Sequence, residues 1–139
     1  MKTKLTELLG IEYPIIQGAM AWTSEHHLVA AVANAGATGV IASGGRDADW
    51  VRDQIRSAKK LTDKPLDVHL MIVNPEKFIP EVKALGAHTM NVHYEACTHL
   101  HRVIQQIKEA GMQPAVTINP ATPVALLQDI IQDVYMVLI

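Results

Sequence analysis

Six short runs rich in apolar and β-branched residues recur along the chain, and amphipathic stretches at helical spacing separate them. This alternation leaves few folds open, because a strand that returns parallel to its predecessor needs a crossover long enough to hold a helix. The spacing predicts strands at 14–17, 38–42, 66–72, 89–94, 114–118 and 134–139, with helices at 25–35, 47–60, 75–85, 98–110 and 123–130. The punctuation has matching causes. Ser24 stands where an N-cap is needed, Pro75 and Pro123 suit first turns that need no amide donor, and Gly36, Gly86 and Gly111 can stop helices at positive φ. Leu100, Val103, Ile104 and Ile107 form one apolar stripe to lay on a sheet, leaving Gln105, Lys108 and Glu109 to solvent. The expected fold is a single α/β domain, an incomplete (β/α)8 TIM-type barrel of six parallel strands and five helices. Its 139 residues fall short of the roughly 250 of a full barrel. An open doubly wound sheet is the alternative.

Composition narrows the function classes. Hydrophobic residues make up 49% and charged residues 19%, with a net charge of -2, so the chain reads as soluble and globular, with no basic excess to recruit nucleic acid. The opening Met1-Lys2-Thr3-Lys4-Leu5-Thr6-Glu7 has an acidic residue and no long apolar core, unlike a signal peptide or membrane span. The cytoplasm is the default address, with no membrane partner. The single cysteine, Cys97, has no second thiol for a disulfide or zinc knuckle and is read as a packing residue.

Two resemblances divide the chain near Thr62-Asp63-Lys64-Pro65, giving segments 1–65 and 66–139. The run from Leu5 through Tyr13-Pro14-Ile15-Ile16-Gln17-Gly18-Ala19-Met20-Ala21-Trp22, continued by Ala31-Val32-Ala33-Asn34-Ala35-Gly36 and Gly39-Val40-Ile41-Ala42-Ser43-Gly44-Gly45, resembles the nitronate monooxygenase and FMN-dependent enoyl-ACP reductase family. The resemblance implies FMN contacts at Gln17, Gly18, Ala19 and Met20, and at Gly44 and Gly45. Small residues do let backbone approach a flat ring, although two glycines also suit any strand-to-helix turn. Trp22 is read either as a cover for the ring or as packing. The family's phosphate clamp and catalytic histidine come from later segments that are replaced or lacking here.

After Lys64, the run Leu66-Asp67-Val68-His69-Leu70-Met71-Ile72-Val73-Asn74-Pro75, then Val92-His93-Tyr94-Glu95-Ala96, then Asn119-Pro120-Ala121-Thr122-Pro123 resembles ribulose-phosphate 3-epimerase. That is the more specific match. It implies a sugar-phosphate partner and proton transfer at a pentulose carbon, with two carboxylates and a divalent metal, iron or zinc, that stabilises an enediolate. It further implies His69 as a metal ligand and Met71 as a pocket residue. The metal and acid positions of the second strand are filled here by Thr38-Gly39-Val40-Ile41-Ala42, which carries no ionisable group, so the implied catalytic set is incomplete. A lone imidazole does not hold a catalytic ion. Asp67 shares the His69 face by alternation, with a helix cap or surface position as its other reading; His93 and Glu95 repeat the spacing and are read as structural hydrogen-bonding partners. His26, His27 and His88 are read as surface residues, and His99 and His101, two apart near the start of a helix, do not share a face that could hold a metal.

The run ending at Ile139 is expected to leave an exposed apolar edge, the mark of a cut, and to drive self-association. Three functional readings stay open. They are an epimerase-like chimera or fragment inactive as an isolated chain, an FMN-dependent oxidoreductase fragment, and a non-catalytic engineered scaffold.

Overall fold

A computed structural model describes residues 2–139. Helix α1 (Lys4–Leu9) is set by reciprocal capping between Thr3 and Thr6 and ends at Gly10, whose φ of 66° is left-handed. It falls outside the expected helices, because its six residues are too few to show an apolar period. The sheet then builds in chain order. Strands β1 (Ile16–Gln17), β2 (Thr38–Ala42), β3 (Asp67–Leu70), β4 (Thr89–His93), β5 (Gln113–Thr117) and β6 (Met136–Leu138) alternate with α2 (His26–Asn34), α3 (Ala48–Leu61), α4 (Ile79–Ala84) and α5 (Leu100–Glu109).

All five neighbouring pairs are parallel, and the spatial order is β1-β2-β3-β4-β5-β6. An order that never reverses puts every right-handed crossover on one side of the sheet, whereas a doubly wound sheet reverses once and carries helices on both. This is the curled, incomplete β/α barrel.

The two sheet faces differ accordingly. Toward the helices, Ile41, Val68, Leu70, Met90, Val92, Val116 and Ile118 join Val29, Ile55, Val82, Ile104 and Ile107 in one core. Ile55, Ile104 and Ile107 have no exposed surface, and each contributes about 1.5–3 kcal/mol by leaving water. The concave face carries Val40 and Ala42 on β2, Asp67 and His69 on β3, Thr89, Asn91 and His93 on β4, and Ala115 and Thr117 on β5. Pairing in register keeps partners on one side of the sheet. Several of these inward residues are polar yet buried.

Three expectations are corrected. No α-helix forms over 123–130. Short 3₁₀ turns at Val124–Leu127 and Ile131–Asp133 stand there, since Leu127 is buried but Val124 and Leu126 lie exposed and leave no continuous stripe to pack. The cap of α2 is Glu25, whose carboxylate accepts the amides of His27 and Leu28; the Ser24 hydroxyl instead accepts the Met20 amide at 2.8 Å. Asp67 is neither a cap nor on the surface, being 2% exposed. Elsewhere the punctuation holds. Asp47 caps α3 through the Trp50 amide, and Gly36, Gly86 and Gly111 take φ of 89°, 80° and 75° after their helices. Among the described residues, no helix is long and apolar enough to cross a membrane.

Across the amino-terminal end of the sheet, the Tyr135 hydroxyl donates to the Leu8 carbonyl at 2.6 Å, tying the approach to β6 to α1.

Candidate active site at the carboxyl ends of the strands

In β/α barrels the loops that follow the strands gather at one mouth, where chemistry is placed. Here that mouth brings together residues from both segments. Gly44, after β2, lies so close to Met71, after β3, that a β-carbon on it would meet the Met71 Sδ at 2.8 Å and the Ala21 Cβ at 3.5 Å. Gly45, at φ 71°, faces the Trp22 ring. The loop holding Gln17, Gly18, Ala19 and Met20 folds around Ser24, whose hydroxyl accepts from Gln17 Nε2 at 2.8 Å. Gln17 Oε1 accepts the Val40 amide at 3.3 Å, so this side chain is engaged within the protein. A β-carbon on Gly18 would meet nothing, which leaves open space beside the backbone there. Trp22 is not core packing: it is 68% exposed, has a φ of 71°, and its ring carries the Arg46 guanidinium 4.0 Å from its centroid.

The strongest chemical grouping lies deeper. His69 on β3 and His93 on β4 face each other with their Nε2 atoms 3.3 Å apart and their rings tilted by 55°. His69 is buried, and its Nδ1 has no hydrogen-bond partner. Burial first, and the neighbouring His93 charge second, push its pKa down to about 4. His93 is half-buried and opens onto a cleft of about 300 Å³ lined by Met71, Ile72, Val73, Glu95, Ala96 and Asn119. Burial alone would raise the Glu95 pKa, but donors at the Thr122 hydroxyl and the Asn119 amide hold it down at about 2, with His93 adding to the effect. Its second oxygen stands 3.6 Å from His93 Nδ1. Thr117 donates to Asn91 Oδ1 at 2.9 Å in the same inward layer.

Alternation along single strands placed His69 and His93 on sheet faces, and both stood out as isolated candidates. Their meeting was missed. It follows from two facts, that β3 and β4 are neighbours and that His69 is in register with Asn91, two residues before His93.

Asp67 points to the same side at the opposite end of β3. Burial raises its pKa against the opposing effects of Thr89 and of His88, whose Nδ1 is 4.0 Å away, and its Oδ2 has no partner. It does not share a site with His69. Glu25, His26 and His27 bring three donor atoms within 4.8 Å of one another. There the carboxylate is engaged by two amides at the positive end of α2, and His26 Nδ1 is 2.7 Å from Gln54 Oε1, which makes this a helix cap rather than a cation site. Cys97 is half-buried, and burial, then Glu76, pushes its thiol up to about 11, leaving it an inert packing residue. A small apolar hollow of about 50 Å³ between α3 and α4 has Val51, Ile55 and Val82 in its wall and lies on the helix side of the sheet, away from the mouth.

Neither implied group is reproduced by the residues present. A metal held between β2 and β3 needs donors on β2, yet Ala42 is the register partner of His69 and Val40 that of Asp67. For FMN, Gly18 leaves room, but the Met71 sulfur already covers Gly44.

Fold and mouth together define a β/α-barrel protein with polar groups gathered at the carboxyl ends of its strands. The ribulose-phosphate 3 epimerase family profile matches residues 50–139, and the chain belongs to that family. It is 46% identical over 85 residues to the ribulose-phosphate 3-epimerase of Bacillus subtilis, covering 61% of this chain and 39% of that protein. It is also 40% identical over 81 residues to a probable nitronate monooxygenase of Staphylococcus saprophyticus, covering 58% of this chain and 23% of that one. FabK from Thermotoga maritima superimposes with a TM-score of 0.78 at 26% identity, covering 96% of this chain and 42% of FabK. The chain thus spans well under half the length of these relatives, and it is composite in its similarities.

Proposed function

We propose that this chain is an epimerase-type β/α-barrel fragment or chimera that offers a sugar-phosphate mouth but does not epimerise by itself. One observation carries the reading: β2 lies in register beside β3 but turns Val40 and Ala42 inward, where metal and acid–base donors are required. Moving a proton off one face of a pentulose and back onto the other takes two placed carboxylates. Among the described residues, Asp67 is buried at the wrong end of β3, and Glu95 is tied to Asn119 and Thr122. The test is ribulose 5-phosphate turnover at high protein concentration with added Fe²⁺ or Zn²⁺. No rate above the metal-only background is expected, and turnover above it overturns the reading.

The convergence of the 17–20 loop, Gly44, Gly45 and Trp22 supports a second reading, a remnant flavin-facing wall. It is tested by quenching of FMN fluorescence, first on the chain as it stands and then on Met71→Ala. With Met71 on Gly44, quenching is expected only in the variant; its absence in both removes the flavin reading. The apolar edges, with Ile15 58% and Leu138 40% exposed, support self-association, which sedimentation velocity would show as species above the monomer.

A further inference from the structure

We propose that the hollow between α3 and α4 is a binding site for a short-chain aliphatic carboxylate, with Arg46 and Ser43 holding the acid group and the helix-side core holding the chain. The hollow, of about 50 Å³, has Val51, Ile55, Leu70, Phe78, Val82 and Leu85 in its wall. An apolar cavity of about 150 Å³ takes a benzene ring, so this one suits a branch of roughly three carbons. Where β2 ends, the wall turns polar. Ser43, only 1% exposed, accepts the Met71 amide at 2.8 Å through its hydroxyl oxygen, and no described residue accepts the hydroxyl proton. The Arg46 amide donates to the Ser43 carbonyl at 3.0 Å, which puts both side chains on one turn at the rim.

Arg46 decides what kind of ligand fits. Its guanidinium lies 4.0 Å from the centre of the Trp22 ring and 4.9 Å from that of Trp50, so two indoles hold it in place while its in-plane N–H groups stay able to donate. Trp22 makes this stack from a left-handed φ of 71°. The Arg46 Nε is buried with no partner. Nearby carboxylates are engaged elsewhere: Asp47 accepts the Trp50 amide at 2.8 Å, and Asp49 and Glu81 both pair with Arg52. Among the described residues, no carboxylate forms an ion pair with Arg46. A held cation without a counter-charge at the edge of an apolar hollow matches an anion that carries an apolar tail. A neutral ligand leaves the charge unmet, and an inorganic anion leaves the hollow empty. The hollow is on the helix side of the sheet, so the site is independent of the mouth and of the epimerase reading.

The chain has two tryptophans and both lie against Arg46, so intrinsic fluorescence reads this site directly. Titration of the full chain with sodium isobutyrate at constant ionic strength is expected to give a saturable change in the millimolar range. Sodium acetate, which lacks the branch, and isobutanol, which lacks the charge, are each expected to bind about tenfold more weakly or worse. Methyl proton–carbon spectra of the same titration need no substitution, and the Val51, Ile55 and Val82 signals are expected to move. In those spectra Arg46→Met is expected to weaken isobutyrate binding about tenfold or more, and Val82→Ile, which fills the hollow, to weaken it as well. Lys60→Met, at an exposed position on the same helix, should leave it unchanged. A linear fluorescence response, unmoved methyl signals, acetate binding equal to that of isobutyrate, or binding unaffected by Arg46→Met would each overturn the site. None of these readouts depends on ribulose 5-phosphate turnover, so failure of the functional reading and failure of this site are distinguishable.

Discussion

Strands β2 and β3 share one hydrogen-bonded ladder and one core, yet they turn opposite chemistry inward: Val40 and Ala42 on one, Asp67 and His69 on the other. The strands pair through backbone groups and pack through Ile41 and Val68, which point to the helices. Neither requirement constrains the inward side chains. Segments resembling two enzyme families can therefore meet at this ladder and keep the fold, whatever chemistry their inward side chains carry.

The comparison breaks most visibly if the two segments do not share a core. Ile55→Ala on α3 and Ile104→Ala on α5 are each expected to lower stability by about 2–5 kcal/mol in urea denaturation. Each should shift one common transition, by fluorescence and circular dichroism alike. Two separated transitions, with each variant moving only one, would show that the segments fold apart.

A smaller effect sharpens the chemical side. His69 titrates below its unfolded value, at about 4 against 6.5, so the unfolded chain binds the proton more tightly. Stability from this group is present above pH 6.5 and is lost as pH falls through 4. With chelator present, the expected loss is on the order of 3 kcal/mol at most. His69→Gln should flatten that part of the pH–stability curve, and an unchanged slope would show that burial of the imidazole is not its source.

The smallest expected effect lies in the first segment. A β-carbon on Gly39 would stand 2.4 Å from the Val29 carbonyl oxygen and 2.8 Å from Val29 Cγ1, so α2 rests directly on β2. Gly39→Ala is expected to cost about 1–3 kcal/mol in the same urea experiment, with the helix forced outward. A neutral result would mean that α2 can shift off β2 without cost.

The ladder of strands and their inward faces was legible because alternation along a strand is a local property. So was the apolar stripe of α5, where Leu100, Val103, Ile104 and Ile107 are all buried. The His69–His93 meeting was not, since it depends on register between strands more than 20 residues apart, set by the whole sheet. The burial of Asp67 was equally hidden. Two-residue spacing gives its face but not its depth, which comes from the closing of Tyr135 and His88 over that end. The 123–130 segment failed for the opposite reason, because its local spacing suited a helix that no sheet surface was available to receive.

The Tyr135–Leu8 hydrogen bond gives the sheet a mechanical character that strand pairing alone does not. A fan of strands held only rib to rib can widen or narrow with little resistance, but one tied between its first helix and its last strand behaves as an arch with a tie-rod. Spreading of the mouth must then pivot about the tied end. The gap between His69 and His93 is thus fixed by the span of the arch as much as by the two strands that carry them.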